Sequence, residues 1–522
     1  MPRDDEYYDD EYYHQAPQGG FQEYLNEGLR QAPWWLISVA AHGLLAVVLT
    51  LAHFTDYKQD EPVVVETELE QQEDEELDEK LEREVFEQDK EINTDEPPIE
   101  DPVLKDAEIS DHNETDNNED YESSKGVEDA ISDKPFQGKY WNSAIGIGGG
   151  AGGTFGGRFG GRRNLRAYGG GRHTESAVLM GLVWLKNHQN PDGMWACKKF
   201  MMNCKQGTCT GPGASDDYDM GVTGLSMLAF LGAGHTHKHG KFKNTVKRGL
   251  KAMKDRQTPD GCFGPKTADG HWIYNHTIST MAISEAYGLS NKSPLLQSPA
   301  QKAVDFLIDC QNKSPDLGWR YGRQTGENDS SVTGWAVLAL KSAKISDLHV
   351  PKTAFDGALK WFDLVTDEAY YKTGYTSKGD TGARLAEAMG KFQPTEAMTA
   401  AAVISRIFIL GTKATNRPEI LGGGNLLKQN PPKWDVKGGT IDMYYWYYGT
   451  LAMFQLGRQY WKAWNEPMKN ALVPTQKREG CENGSWDPVG AWGTAGGRVY
   501  STAINCLSLE IYYRYGRVLN VK

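Results

Sequence analysis

Through the last two thirds of the chain, apolar residues recur at helical spacing and each run stops at the same kind of turn. In the first run Val178, Leu182 and Leu185 fall at i, i+4 and i+7, which predicts a helix over 175–188 with one apolar stripe and with Lys186 and His188 on its other face. Pro191, Asp192 and Gly193 are turn formers, and Trp195 is large enough to pin the turn back onto its helix. Five further versions follow: Gln257 to Phe263, Gln311 to Trp319, Gly374-Tyr375, Gln429 to Trp434 and Gly480 to Trp486. Each lies behind a stripe such as Val246/Leu250/Met253 or Phe355/Leu359/Phe362. Their spacing of roughly 55 residues suits two helices plus loops per unit.

Between these amphipathic runs lie segments with little polarity on any side, 219–234, 274–288, 329–343, 395–410, 442–457 and 498–513. They predict inner helices packed on both flanks. The series opens with an unpaired outer helix and ends with an unpaired inner one, so pairing these two closes six helical hairpins into a ring that needs no capping repeat. The expected fold is all-α, an (α/α)6 toroid over residues 173–522.

The rest of the chain has a different character. Trp34 to Phe54 is an uncharged stretch of 21 residues, long enough to cross a ~30 Å hydrocarbon layer. It is expected to be a single transmembrane helix over 34–54. Arg30 before it and Asp56, Asp60 and Glu61 after it favour a cytoplasmic N-terminus and an external body. Residues 1–33 read as a disordered acidic tail, 55–145 as an acidic disordered linker with too little apolar surface to order, and 146–172 as a Gly-rich flexible hinge. Gly148-x-Gly150-x-x-Gly153 in that hinge has neither the strand before it nor the helix after it that dinucleotide binding requires. The acidic residues behind the net charge of −14 are concentrated before Lys134, and no basic face argues for nucleic acid.

Two resemblances follow from these motifs. Pro33-Trp34-Trp35 with Ser38 and His42 resembles the anchors of TonB-type envelope proteins, which implies a bacterial inner-membrane location with the toroid on the periplasmic side. The repeated helix, Gln, turn, Gly-x-Trp pattern resembles the QW motifs of squalene-hopene cyclases and the α/α toroid of protein prenyltransferase β subunits, the terpene cyclase/prenyltransferase superfamily. In the cyclases the inner helix opens with DxDD, whose third residue is the proton-donating acid. Here Asp219 and Asp329 match the first position, but Gly221 and Ser331 occupy the third. Nor is there an Asp-x-Cys pair with a His that would hold a prenyltransferase zinc, or a Gly-Cys-Gly-Glu-Gln thioester motif.

Aligning the inner helices on VTGLSMLAF (222–230) and VTGWAVLAL (332–340) sets Asp219, Ile273, Asp329, Thr395, Asp442 and Arg498 at the rim. Asp219, Asp329 and Asp442 are candidate catalytic carboxylates, or simply helix caps, and His276 is a candidate acid/base. Asn275, Ser331, Tyr444, Tyr445, Tyr500 and Arg498 are expected to bind substrate. No cofactor or metal is expected. In an external compartment at least one disulfide is expected among Cys197, Cys204, Cys209 and Cys262; the alternatives are free thiols and a four-thiolate zinc site, although the C-x6-C-x4-C spacing lacks the C-x2-C pairs typical of zinc.

Whether the chain is an enzyme is left open. The first reading is a membrane-anchored toroid acting on, or binding, an isoprenoid or other long apolar molecule. The second is a non-catalytic envelope toroid that binds a lipid or protein, with the acidic linker available to a partner. The third is a periplasmic glycan-active enzyme using two rim carboxylates.

Overall fold

The computed structural model describes Leu165 and residues 168–515, apart from Gln206, Asn291, 314–316 and 381–390. All of them belong to the compact unit Gln71–Lys522. The expected tail, membrane span and acidic linker, and most of the hinge, lie outside the described residues.

Among the described residues there are 13 α-helices and no strand. The inner helices are α2 (Asp219–Gly232), α4 (Trp272–Leu289), α6 (Ser330–Ile345), α8 (Ala397–Leu410), α10 (Met443–Leu456) and α12 (Gly493–Leu509). Each packs on the next, and α12 packs on α2, so the inner layer is a closed ring. The outer helices are α1 (Arg172–Asn187), α3 (Lys243–Asp255), α5 (Pro294–Cys310), α7 (Lys352–Val365), α9 (Pro418–Gln429) and α11 (Arg458–Leu472). As the pattern implies, α1 packs against α12, bringing the two ends of the repeat series together. A short α13 (Ile511–Arg514) follows.

Close approach of the inner helices depends on small residues. A Cβ on Gly221 of α2 would collide with Asn275 of α4 and one on Gly224 would press tightly on Ile278 and Ser279, while Gly449 of α10 leaves room for the Trp464 ring of α11. The apolar segment Ala397–Ala414 has the length and hydropathy of a membrane span, but 72% of it is buried within the ring, where it forms α8 and the 3-10 turn Gly411–Ala414 that follows.

The turns act as sutures. Gln189, Gln257, Gln311 and Gln476 each donate Nε2 to a carbonyl of their own turn and to a carbonyl of the next outer helix, Thr245, Pro299, Ala354 and Ala177 respectively, at 2.7–3.0 Å. The last of these reaches back to α1 and closes the outer layer. Trp195, Trp319 and Trp486 return their indole N–H groups to Leu185, Leu307 and Leu472 of the preceding helix. Gly193, Gly261 and Gly484 sit at φ +89°, +95° and +91° against backbone of the following outer helix, a place for no other residue. Replacing Gln476 by Ala removes two buried hydrogen bonds and is expected to cost about 2 kcal/mol, read as a lower thermal unfolding midpoint of the full chain. An unchanged midpoint would show that the suture contributes nothing.

Two turns depart from the pattern. In the fourth, Thr373 rather than Tyr375 occupies the pinned position, its N–H donating to Thr399 Oγ1, and Thr366 bonds Thr373 where the first, second, third and sixth units use Gln. In the fifth, Asn430 caps α9 and accepts from the Tyr445 hydroxyl.

Candidate functional site

The N-termini of the inner helices form one face of the ring, and the residues expected at its rim serve several different ends. Asp329 is the N-cap of α6, its Oδ1 accepting from the Val332 N–H at 2.7 Å. It is fully buried, and burial pushes its carboxyl up to about 7 against the opposing pull of the Val332 N–H, the Arg320 guanidinium and the Tyr375 hydroxyl. Tyr321 and Tyr375 share a hydroxyl–hydroxyl bond, and Arg320 lies over both rings.

Asp442 caps α10, accepting from the Tyr445 N–H at 3.1 Å and from Thr395 Oγ1 at 2.8 Å. Asp219 opens α2 and accepts from the Cys197 N–H at 2.7 Å, tying down the first turn. Partial burial, with Asp216 nearby, raises its carboxyl to about 6.

At the next level inward, the Tyr274 hydroxyl donates to Ser331 Oγ at 3.0 Å, and Ser331 bonds the Tyr444 hydroxyl at 2.8 Å. These residues lie on α4, α6 and α10, and α4 and α10 stand opposite each other in the ring, so the chain of hydroxyls spans its diameter. Below it Trp335 stacks on Tyr447 at 5.6 Å and meets Tyr448 edge-on at 5.5 Å. Deeper still, Arg514 reaches Glu285 of α4 at 3.1 Å and Glu510 at 3.3 Å, with Ser342 of α6 donating to Glu285. Arg514 also donates to the Leu228 carbonyl of α2, and Tyr515 packs on Phe408 of α8. The hub is thus crossed by the protein's own side chains at three levels, in the space that a long apolar molecule held at the centre of the ring would occupy.

Several expected roles change place. His276 faces the second turn: its Nδ1 accepts from the Phe263 N–H at 3.1 Å, as Thr223, Thr333, Thr399 and Thr502 do for their own turns. Nε2 lies 3.1 Å from the Ala303 carbonyl, and burial lowers the imidazole to about 3, so it is neutral and sequestered from the hub. The equivalence also shifts the α4 frame by one residue: Trp272, not Ile273, matches Asp219 and Asp329, and Tyr274 takes the inward third position. Asn275 points at α2 and donates to the Asp217 carbonyl. Tyr445 turns outward to Asn430 and Trp464. Arg498 is buried at the junction of the first and last units, bonded to Thr210, Ser485 and Asp487. Tyr500 does reach the hub, where its hydroxyl is buried without a hydrogen-bond partner.

The expected disulfides are not formed; all seven cysteines are free thiols. Cys197 Sγ contacts the Ala495 carbonyl and Cys262 lies behind its own turn, whereas Cys204 and Cys209 converge on His188.

Residues at the site that the sequence reading passed over are Tyr274, Tyr321, Tyr375, Arg320, Glu285 and Arg514. Glu285 was the visible signal, a lone charge inside an otherwise uncharged inner helix. Beside the mouth, a cleft of about 430 Å³ lies between the starts of α8 and α10, lined by Pro394, Thr395, Asn430, Pro431, Tyr445 and Trp446.

No family model matches the chain. Over 200 residues, 34% of this chain, it is 25% identical to a probable squalene–hopene cyclase of Sinorhizobium fredii (strain NBRC 101917 / NGR234), and the match spans 28% of that relative's length. Among solved structures, an inactive variant of the alpha-1,6-mannanase GH76A of Salegentibacter sp. HEL1_6 has a TM-score of 0.45 at 10% identity, covering 65% of this chain and 99% of the other. An alpha-amylase from Clostridium perfringens has a TM-score of 0.43 at 12% identity, covering 65% and 98%. At these values the likenesses carry no argument about a reaction.

Proposed function

We propose that the chain is a non-catalytic binding toroid, held at the outer face of a bacterial inner membrane by Trp34–Phe54 and its acidic linker. Its ligand is an apolar segment with hydrogen-bonding groups, supplied by an envelope lipid or polypeptide, and it lies across the face made by the inner-helix N-termini. The observation that carries this reading is the Tyr274–Ser331–Tyr444 bridge, which crosses the ring at the level where a cyclase would present its acid. Half-buried Tyr274, Tyr321 and Tyr500 offer ring edges on that face, and the neighbouring cleft falls within the ~300–1,000 Å³ common for small-ligand sites. A glycan-cleaving mechanism needs two free opposed carboxylates, and Asp329 and Asp442 are both buried caps.

The second reading, an isoprenoid substrate, is favoured by the partial similarity to a squalene–hopene cyclase. Two measurements on the full-length chain in detergent decide between them. A photo-crosslinking residue at position 274 or 445 is expected to capture a lipid or polypeptide, and incubation with squalene is expected to leave it unchanged. A cyclised product would overturn the proposal in favour of the second reading, and no adduct at either position would overturn it outright.

A further inference from the structure

The turn after α1 is longer than its counterparts, and its insertion brings Cys204 and Cys209 onto His188, the C-cap of α1. Cys481, from the last turn of the series, meets the same imidazole. The three Sγ atoms lie 3.5, 3.3 and 3.5 Å from His188 Nε2, and all four donor atoms fall within 4.8 Å of one another. A tetrahedral zinc with Zn–N of ~2.0–2.1 Å and Zn–S of ~2.3 Å has N···S edges of roughly 3.5–3.6 Å, so the donors already stand near the corners such an ion requires.

The surroundings are those of a built site. His188 Nδ1 lies 2.8 Å from the Trp184 carbonyl, which makes it the N–H donor and turns the Nε2 lone pair toward the sulfurs. Trp184 stacks on the imidazole at 4.1 Å, Phe200 covers its edge, and the Cys209 N–H donates to Cys204 Sγ at 3.3 Å. His188 and Cys209 are buried, while Cys204 and Cys481 are half-buried and leave an entry path.

We propose that His188, Cys204, Cys209 and Cys481 bind a structural zinc ion that clasps the two ends of the ring together. Three thiolates and an imidazole select zinc over hard oxygen-seeking cations, and four protein ligands leave no open position for catalysis. Two hydrogen bonds and an ion pair already register the same junction: Trp184 Nε1 to the Cys481 carbonyl at 3.0 Å, the Thr210 N–H to Glu482 at 2.8 Å, and the Arg498–Glu482 pair at 2.9 Å. The ring has no covalent closure here. An ion joining ligands 293 positions apart in sequence makes metal binding part of the free energy of closure.

The test is elemental analysis of the full-length chain, purified in detergent without added metal. About one zinc per chain is expected, falling below about a tenth in Cys481→Ser and Cys209→Ser and staying near one in Cys197→Ser and Cys262→Ser. Cys481→His keeps four ligands and is expected to retain zinc, which separates loss of metal from loss of fold. Stripping the wild-type chain with a chelator should lower its unfolding midpoint, and cobalt exchange should give thiolate-to-metal charge-transfer absorption. Metal-free protein in which Cys204, Cys209 and Cys481 all titrate as free thiols, or a Cys204–Cys209 disulfide found by mass mapping, would overturn the proposal.

Discussion

Replacing Arg514 with leucine is expected to destabilise the ring by about 3–5 kcal/mol, the cost of leaving buried carboxylates without their cation. Arg514, Glu285 and Glu510 all have no solvent exposure, and the guanidinium also donates to the Leu228 carbonyl. It is held charged by Glu285 and Glu510 even though burial opposes it. Urea denaturation of the full chain, followed by helical signal, reads the loss. The triple variant Arg514→Met, Glu285→Leu, Glu510→Leu removes every charge at once and should recover most of the stability, because the expense lies in the unpaired ions and not in the absence of the pair. A single variant as stable as the parent would mean that α13 does not plug the hub, and the case for a filled centre would lose its lowest level.

That cluster shows what the repeat pattern could and could not disclose. The six-unit ring was legible because its signals are local and redundant: an outer stripe, a glutamine, a turn glycine and an aromatic recur often enough that losing the glutamine in the fourth unit does not hide the rest. Register was less secure where a unit substitutes its own chemistry. His276 does the work of a threonine, so an alignment on Thr and Leu-Ala placed it one residue too far inward, and Tyr375 drew attention from Thr373, which makes the turn contact.

The chemistry at the centre and at the junction was harder to read because it is assembled from distant positions. Glu285 and Arg514 are 229 residues apart, and Cys481 is 293 from His188. No spacing rule reaches that far, and His188, which the pattern sets with Lys186 on the polar face of its helix, carries no sign that a loop folds over it. Once α1 and α12 are known to touch, the first and last turns become neighbours, and the thiols they carry cease to look unrelated.

Asp329 is expected to make the ring less stable as pH rises, and Asp329→Asn to abolish that dependence. Its carboxyl stands at about 7 in the folded chain, against ~3.9 when unfolded. Between those values the native state holds a proton that the unfolded state has released, so this contribution is most favourable below pH ~4 and is lost as pH climbs through 7. Three units correspond to ~4 kcal/mol at most. Asparagine preserves the cap, since its side-chain oxygen can still accept from the Val332 N–H, while removing the charge that burial penalises. Denaturation midpoints at acid and mildly alkaline pH should therefore diverge, with the variant close to wild type at pH ~4 and more stable by a few kcal/mol at pH ~8. Parallel pH profiles for the two proteins would show that Asp329 is ionised throughout. The Tyr375 hydroxyl and the Arg320 guanidinium would then hold a buried carboxylate against the cost of its burial.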